Sequence, residues 1–179
     1  MIKGPNGSGK SVLLKMITGY SKCDSGSIEA DGMILRKDVD FLPNAGIFIN
    51  TPEFQMNKSG MDNLLYLAGI RNIVNEDGIR KYAKMLHIDD QIDEPVRQYS
   101  LGMKQKLRII QAIMDEPDYL IMDEPFDSLD RESSLIVKKI IQLFRDCSRT
   151  VIITNHISEY DHAADVICEI DHYTLKTRP

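Results

Sequence analysis

An α/β fold, with a mostly parallel sheet flanked by helices and an inserted helical subdomain, is predicted by three features of the sequence. Short apolar runs of strand length recur at 45–50, 119–122, 151–153 and 166–170. Amphipathic stretches with helical spacing lie between them. A glycine-rich loop, Gly4-Pro5-Asn6-Gly7-Ser8-Gly9-Lys10-Ser11, stands directly before the first such stretch. Apolar strands alternating with amphipathic helices mark a parallel sheet covered on both faces.

The elements follow in order. Leu13, Met16, Ile17 and Tyr20 recur at helical spacing after the loop, so 10 to about 20 reads as a helix with one buried face and Gly19 near its end. Residues 28–35 are strand-like around Asp31-Gly32, a hairpin dipeptide. The run 45–50 is a short strand. Helical patterns occupy 59 to about 71 and 77–86, the second with Ile79, Tyr82, Ala83 and Leu86 on one face. After Ser100, the stripe Leu107, Ile110 and Met114 marks a further helix that Pro117 closes. The strand 119–122 runs into Asp123. A helix over 131–146 is expected to bury Ile136, Ile140, Leu143 and Phe144, and the strands 151–153 and 166–170 follow.

The chain has 179 residues, 42% hydrophobic and 27% charged. Those proportions suit one globular domain, or one domain with an insert, and exclude a disordered or fibrous chain. With 22 Lys+Arg against 27 Asp+Glu and a net charge of -5, the balance argues against binding by nonspecific contacts to a phosphate backbone. Nucleic acid is therefore not an expected partner. The apolar runs fall far short of the about 20 residues that cross a bilayer. Cys23, Cys147 and Cys168 are odd in number and far apart, which fits reduced thiols better than a disulfide frame or metal cluster.

The loop from Gly4 to Ser11 matches the phosphate-binding pattern G-x-x-x-x-G-K-[ST]. Its glycines let successive backbone N–H groups curl around a phosphate, and the following helix adds its positive end. Lys10 neutralises charge on the terminal phosphate, and the Ser11 hydroxyl suits Mg2+. A flexible turn capping a helix is the plainer alternative. Asp123 and Glu124 sit at the C-terminal end of an apolar strand, the edge where open parallel sheets bind ligands. There Asp123 would hold a metal through water while Glu124, turned to another side, polarises an attacking water. A solvated acidic turn is the alternative.

Tyr99-Ser100-Leu101-Gly102-Met103-Lys104-Gln105-Lys106 places Ser100 at a helix N-cap. Lying upstream of Asp123, it resembles the signature sequence of ATP-binding-cassette ATPases, which some bacterial exporters write Tyr-Ser-Leu-Gly-Met. Asp127-Ser128-Leu129-Asp130 resembles the D-loop of that family, and His156 in Thr154-Asn155-His156 its switch histidine. The resemblance implies a phosphate-loop NTPase with a nucleotide-binding core at 1–50 plus 116–179 and a helical subdomain at 51–115. It implies ATP and Mg2+ as cofactors, with Glu124 and His156 catalytic and Ser11 and Asp123 at the metal. Nucleotide contacts would come from Gly4 through Ser11, from Asn50, from Ser100, Leu101, Gly102 and Met103, and from Asp130.

It further implies a head-to-tail dimer with a second ATPase subunit, most simply a homodimer, each ATP lying between the phosphate loop of one copy and Ser100 to Met103 of the other. An integral membrane permease would hold the subunit on the cytoplasmic face of the membrane and select the transported substrate. Tyr-Ser-Leu-Gly-Met and the stretch 52–64 resemble the bacitracin and lantibiotic exporter type. A soluble, non-transport cassette ATPase and an inactive fragment are the alternatives. Three positions depart from the family: Asn50 stands where glutamine or glutamate is usual, Met103 replaces a frequent glutamine, and only Met1, Ile2 and Lys3 precede Gly4. Family members carry further strands there and an aromatic that stacks on adenine, so the sequence reads as truncated at its start.

Overall fold

The computed structural model describes residues 1–49, 54–156, 161 and 164–178. Along the chain run β1 (Ile2–Lys3), α1 (Lys10–Ile17), β2 (Glu29–Ala30), β3 (Met33–Ile34), β4 (Ala45–Phe48), α2 (Gly60–Arg71) and α3 (Glu76–Met85). A 3-10 turn at Val96–Gln98 precedes α4 (Leu101–Ile113), β5 (Tyr119–Met122), α5 (Arg131–Asp146), β6 (Thr150–Ile153), β7 (Cys168–Asp171) and β8 (Thr174–Thr177).

Strands β4, β5 and β6 form a parallel sheet with β5 in the middle, in register Ile47 to Ile121 to Ile152. The β5 residues Leu120, Ile121 and Met122 are fully buried, as an interior parallel strand demands. Beyond β6 the chain reaches β1 through a parallel bridge between Ile2 and Thr154 and a bond from Asn155 N–H to the Ile2 carbonyl, 3.1 Å. On its other side β1 pairs parallel with β7, and β8 closes that edge antiparallel. Ile2 and Lys3 thus lead into the glycine loop as a paired strand.

The Asp31-Gly32 hairpin is as expected: both residues have positive φ, 50 and 76, and Ala30 faces Met33 across the turn. Two helical faces are corrected. α1 ends at Ile17 because Gly19, at φ 84, turns away so tightly that a Cβ there would lie 2.4 Å from the Asp40 carbonyl oxygen. Tyr20 is consequently exposed, edge-on to Phe41, and Leu14 is the fully buried residue of the helix, while Leu13, Met16 and Ile17 are half-buried. In α5 the buried stripe is Val137, Ile140, Ile141 and Phe144; Leu143 faces outward and Ile136 is half-buried. That stripe follows the i, i+3, i+4, i+7 phase one step from the expected one. The last parallel strand begins at Cys168, leaving Val166 exposed.

One apolar core runs from Leu64, Ile79 and Leu86 in the helical segment through Leu107 and Ile110 of α4 to Leu120 and Met122. Gly46 makes that packing possible. A Cβ at Gly46 would meet the Ala112 carbonyl oxygen at 1.8 Å and Pro117 Cγ at 2.6 Å, so only glycine lets the end of α4 lie on β4.

Candidate active site

The glycine loop leaves β1 after Lys3 and enters α1 at Lys10. Gly7 and Gly9 have φ of 81 and 98, conformations that cost a side-chain-bearing residue strain. Gly9 is the N-cap of α1, and no side chain caps the helix. The first N–H groups therefore keep their donor capacity for an anion. The buried Ser8 Oγ has no hydrogen-bond partner. Lys10 is itself buried, its ammonium donating to the carbonyls of Gly4 (2.9 Å) and Pro5 (3.2 Å) and lying 3.6 Å from Glu124 Oε1.

Asp123, directly after β5, is held by two hydroxyls. Ser11 Oγ donates to its Oδ2 and Thr154 Oγ1 to its Oδ1, both at 2.5 Å. Thr154 Oγ1 also accepts from the Glu124 N–H at 2.9 Å. Glu124 adopts φ 50, a left-handed backbone turn directly after Asp123. The carboxylate then lies between Lys10 and His156, whose Nδ1 is 3.6 Å from Oε2. Burial first, and then the Glu124 carboxylate, push the Asp127 carboxyl above its ordinary value. Lys10, Ser11, Phe48, Gln105, Asp123 and Glu124 line one cleft of about 560 Å³. Its oxygen donors, the Ser11 hydroxyl and the Asp123 carboxylate, suit a hard divalent cation.

The chain does not bring every expected residue to this cleft. Ser100 caps α4 by accepting from the Met103 N–H, 3.2 Å, and Leu101 is exposed. None of Ser100, Leu101, Gly102 and Met103 lines the cleft. Gly102 packs against Ser128 at the cleft's rim, where a Cβ would lie 2.8 Å from the Ser128 carbonyl oxygen. Asp130 caps α5 through the Ser133 N–H, 2.7 Å, and that bond holds its carboxyl below the usual range. Asn50 lies outside the described residues.

Two residues of the site escaped the sequence reading. Thr154 was visible only as a neighbour of His156, yet it joins Asp123 to the Glu124 backbone. Gln105 is buried and donates to the carbonyls of Glu124 and Pro125, both 3.2 Å, while its own oxygen accepts from Arg108. A glutamine facing the same way as the buried stripe of α4 was its one signal.

A glycine loop that opens a helix, with the helix's first serine hydrogen-bonded to a carboxylate at the end of the parallel strand β5, defines a phosphate-loop NTPase domain. Residues 1–127 match the ABC transporter family, and the chain belongs to it. It is 33% identical, over 97% of its length, to YybJ, an uncharacterized ABC transporter ATP-binding protein of Bacillus subtilis (strain 168), and spans 80% of that protein. It is 34% identical, over 92% of its length, to the bacitracin transport ATP-binding protein BcrA of Enterococcus faecalis, and spans 54% of it. The dimeric structure of a bacterial ABC transporter cassette shares the fold at a TM-score of 0.84, covering 99% of this chain and 84% of that one at 19% identity.

Proposed function

We propose that this chain is the ATP-binding and Mg2+-dependent ATP-hydrolysing subunit of an ABC-type exporter, acting as a head-to-tail dimer beneath a membrane permease on the cytoplasmic side. The carrying observation is the set of contacts around the glycine loop: Lys10 beside Glu124, the Ser11 and Thr154 hydroxyls on Asp123, and His156 3.6 Å from the Glu124 carboxylate. The similarity to the bacitracin transport protein supports the exporter reading, and the dimeric cassette supports the pairing. Among the described residues no helix is long and apolar enough to cross a membrane. The division into a core at 1–50 plus 116–179 and a helical subdomain at 51–115 belongs to the same reading.

In this reading the loop N–H groups and the start of α1 receive the phosphates. Lys10 exchanges the Gly4 and Pro5 carbonyls for terminal phosphate oxygens. Mg2+, held by the Ser11 hydroxyl and through water by Asp123, would screen phosphate charge and align the leaving oxygen. Glu124 takes the proton of the attacking water at a carboxylate oxygen, and His156 fixes that carboxylate and faces the transferred phosphate. The exposed start of α4 offers its N–H groups to the triphosphate held by the second copy.

Calorimetry with MgATP tests the proposal. Lys10→Ala should weaken binding by about 100-fold, a loss of roughly 2.7 kcal/mol. Equal affinity in variant and parent would overturn it.

A further inference from the structure

We propose that Glu124, Asp127 and His156 bind a transition-metal dication of the Zn2+ class, and that its binding, on the hydrolysis reading above, blocks turnover. One carboxylate oxygen of each acid and one ring nitrogen of the histidine lie within 4.8 Å of one another. A tetrahedral Zn2+ about 2.0–2.1 Å from each ligand would hold them about 3.3 Å apart. His156 Nδ1 is already 3.6 Å from Glu124 Oε2, so small side-chain rotations complete the set. Local structure brings the three together. Pro125 stands second in a turn from Glu124 to Asp127, closed by the Asp127 N–H on the Glu124 carbonyl at 3.1 Å. The first and fourth residues of such a turn come close, and here both are acids. From the other side Thr154 Oγ1 accepts from the Glu124 N–H at 2.9 Å, and His156 follows two residues on. Both parts of the site are therefore fastened to the backbone of Glu124.

Charge and ligand chemistry then select the ion. Among the described residues the charges acting on the Asp127 carboxyl are Glu124 and Asp123, of like sign, and His156, of opposite sign when protonated. Two acids that face each other are relieved by a cation between them. An imidazole nitrogen beside two carboxylates suits Zn2+, whereas Mg2+ prefers oxygen ligands in a near-ideal octahedron. The Ser11 hydroxyl and Asp123 carboxylate are all oxygen, so each ion has its own set of donors. Zn2+ would take Glu124 Oε2 and the His156 ring nitrogen, leaving neither able to serve the attacking water. Lys10 lies against the other Glu124 oxygen, Oε1, at 3.6 Å. Since the loop N–H groups, Lys10 and Ser11 are not used, MgATP would still bind.

Calorimetry of the full chain with Zn2+ alone, without nucleotide, tests the site. Asp127→Asn and His156→Ala should each weaken Zn2+ binding by at least about 10-fold, the loss that follows even when only the partner of a ligand is removed. His172→Ala, at a histidine whose side chain is 96% exposed, should leave it unchanged. Zn2+ binding that survives both Asp127→Asn and His156→Ala, or that disappears with His172→Ala, is an adventitious ion only and overturns the site. Displacement of Zn2+ by equimolar Mg2+ overturns the choice of ion. Phosphate release from MgATP tests the block. With free Zn2+ buffered at the parent's Kd, the parent should lose about half its rate and Asp127→Asn about a tenth or less of its own. Equal inhibition of the two, or none in the parent, overturns the block. A parent that releases no phosphate without zinc would sink the hydrolysis reading instead, and calorimetry would still decide the site.

Discussion

Two helix starts in this chain are built in opposite ways. α1 begins at Gly9, left-handed and without a side-chain cap, with a buried lysine, a serine and two carboxylates around it. α4 begins at Ser100, whose hydroxyl satisfies the Met103 N–H, with Leu101 in solvent and no residue of Ser100 to Met103 lining the cleft. The first start is complete within its own molecule, since loop, cation and metal-suited oxygens converge on it. The second is a capped, outward-facing end that touches the rim of its own chain's cleft through Gly102 on the Ser128 carbonyl rather than lining it. Helix polarity alone gives neither a task. What distinguishes them is whether the surrounding residues of the same chain turn toward the start or away from it.

Glu124→Gln probes the inward start most strongly. Turnover should fall by about 10² to 10⁴-fold while MgATP affinity is kept, because the amide retains the shape but cannot accept the proton. Steady-state phosphate release beside calorimetry checks this, and retained turnover would remove Glu124 from the base role. Gly46→Ala attacks the anchorage of α4 on the sheet. The added Cβ would collide with the Ala112 carbonyl, at a cost of about 1–3 kcal/mol or more by urea unfolding. An unchanged midpoint would show that α4 can shift without loss.

Ser100→Ala sharpens the contrast between the two starts. Loss of the cap should cost about 1 kcal/mol of stability and slow turnover, yet leave MgATP affinity of the dilute monomer unchanged. A fall in monomer affinity would mean that both starts serve the same molecule. The smallest effect concerns Asp127, beside the cleft. Its carboxyl is raised above 3.8 in the folded chain by burial and by Glu124, so its favourable contribution exists only when it is protonated and is lost as pH rises through that raised value. Asp127→Asn should therefore melt slightly higher than the parent at pH 7, and the gain should shrink on acidifying toward pH 4. Melting curves across that range test the sign.

The parts of the site that sequence made legible are those compressed into short motifs. Gly4 to Ser11 and the pair Asp123-Glu124 declare their chemistry by spacing, and Asp31-Gly32 its turn by conformational need. Thr154 and Gln105 were not legible, because each works by contact with backbone or carboxylate far along the chain: Thr154 with Asp123 and Glu124, Gln105 with Glu124 and Pro125. Polar residues of common type carry no label for such partners. The face of α5 was misjudged for a different reason. Leu143 and Phe144 are adjacent apolar residues, and only packing against the core decides which of the two turns inward. The same holds at α1, where the tight fit of Gly19 against Asp40 ends the helix before Tyr20 can join its face.

The grip of Gln105 on the Glu124 and Pro125 carbonyls makes α4 a lever with its fulcrum near one end. At 1.5 Å of rise per residue, Ser100 lies about 7.5 Å from that fulcrum and Ile113 about 12 Å on the other side. A tilt of about 10° would swing the Ser100 end by about 1.3 Å and the far end by about 2 Å, the far end against β4 where Gly46 leaves no slack. Small rotations are thus resisted at the long arm and read out at the short one. A rotation of α4 would therefore be felt at the Glu124 and Pro125 carbonyls that Gln105 grips.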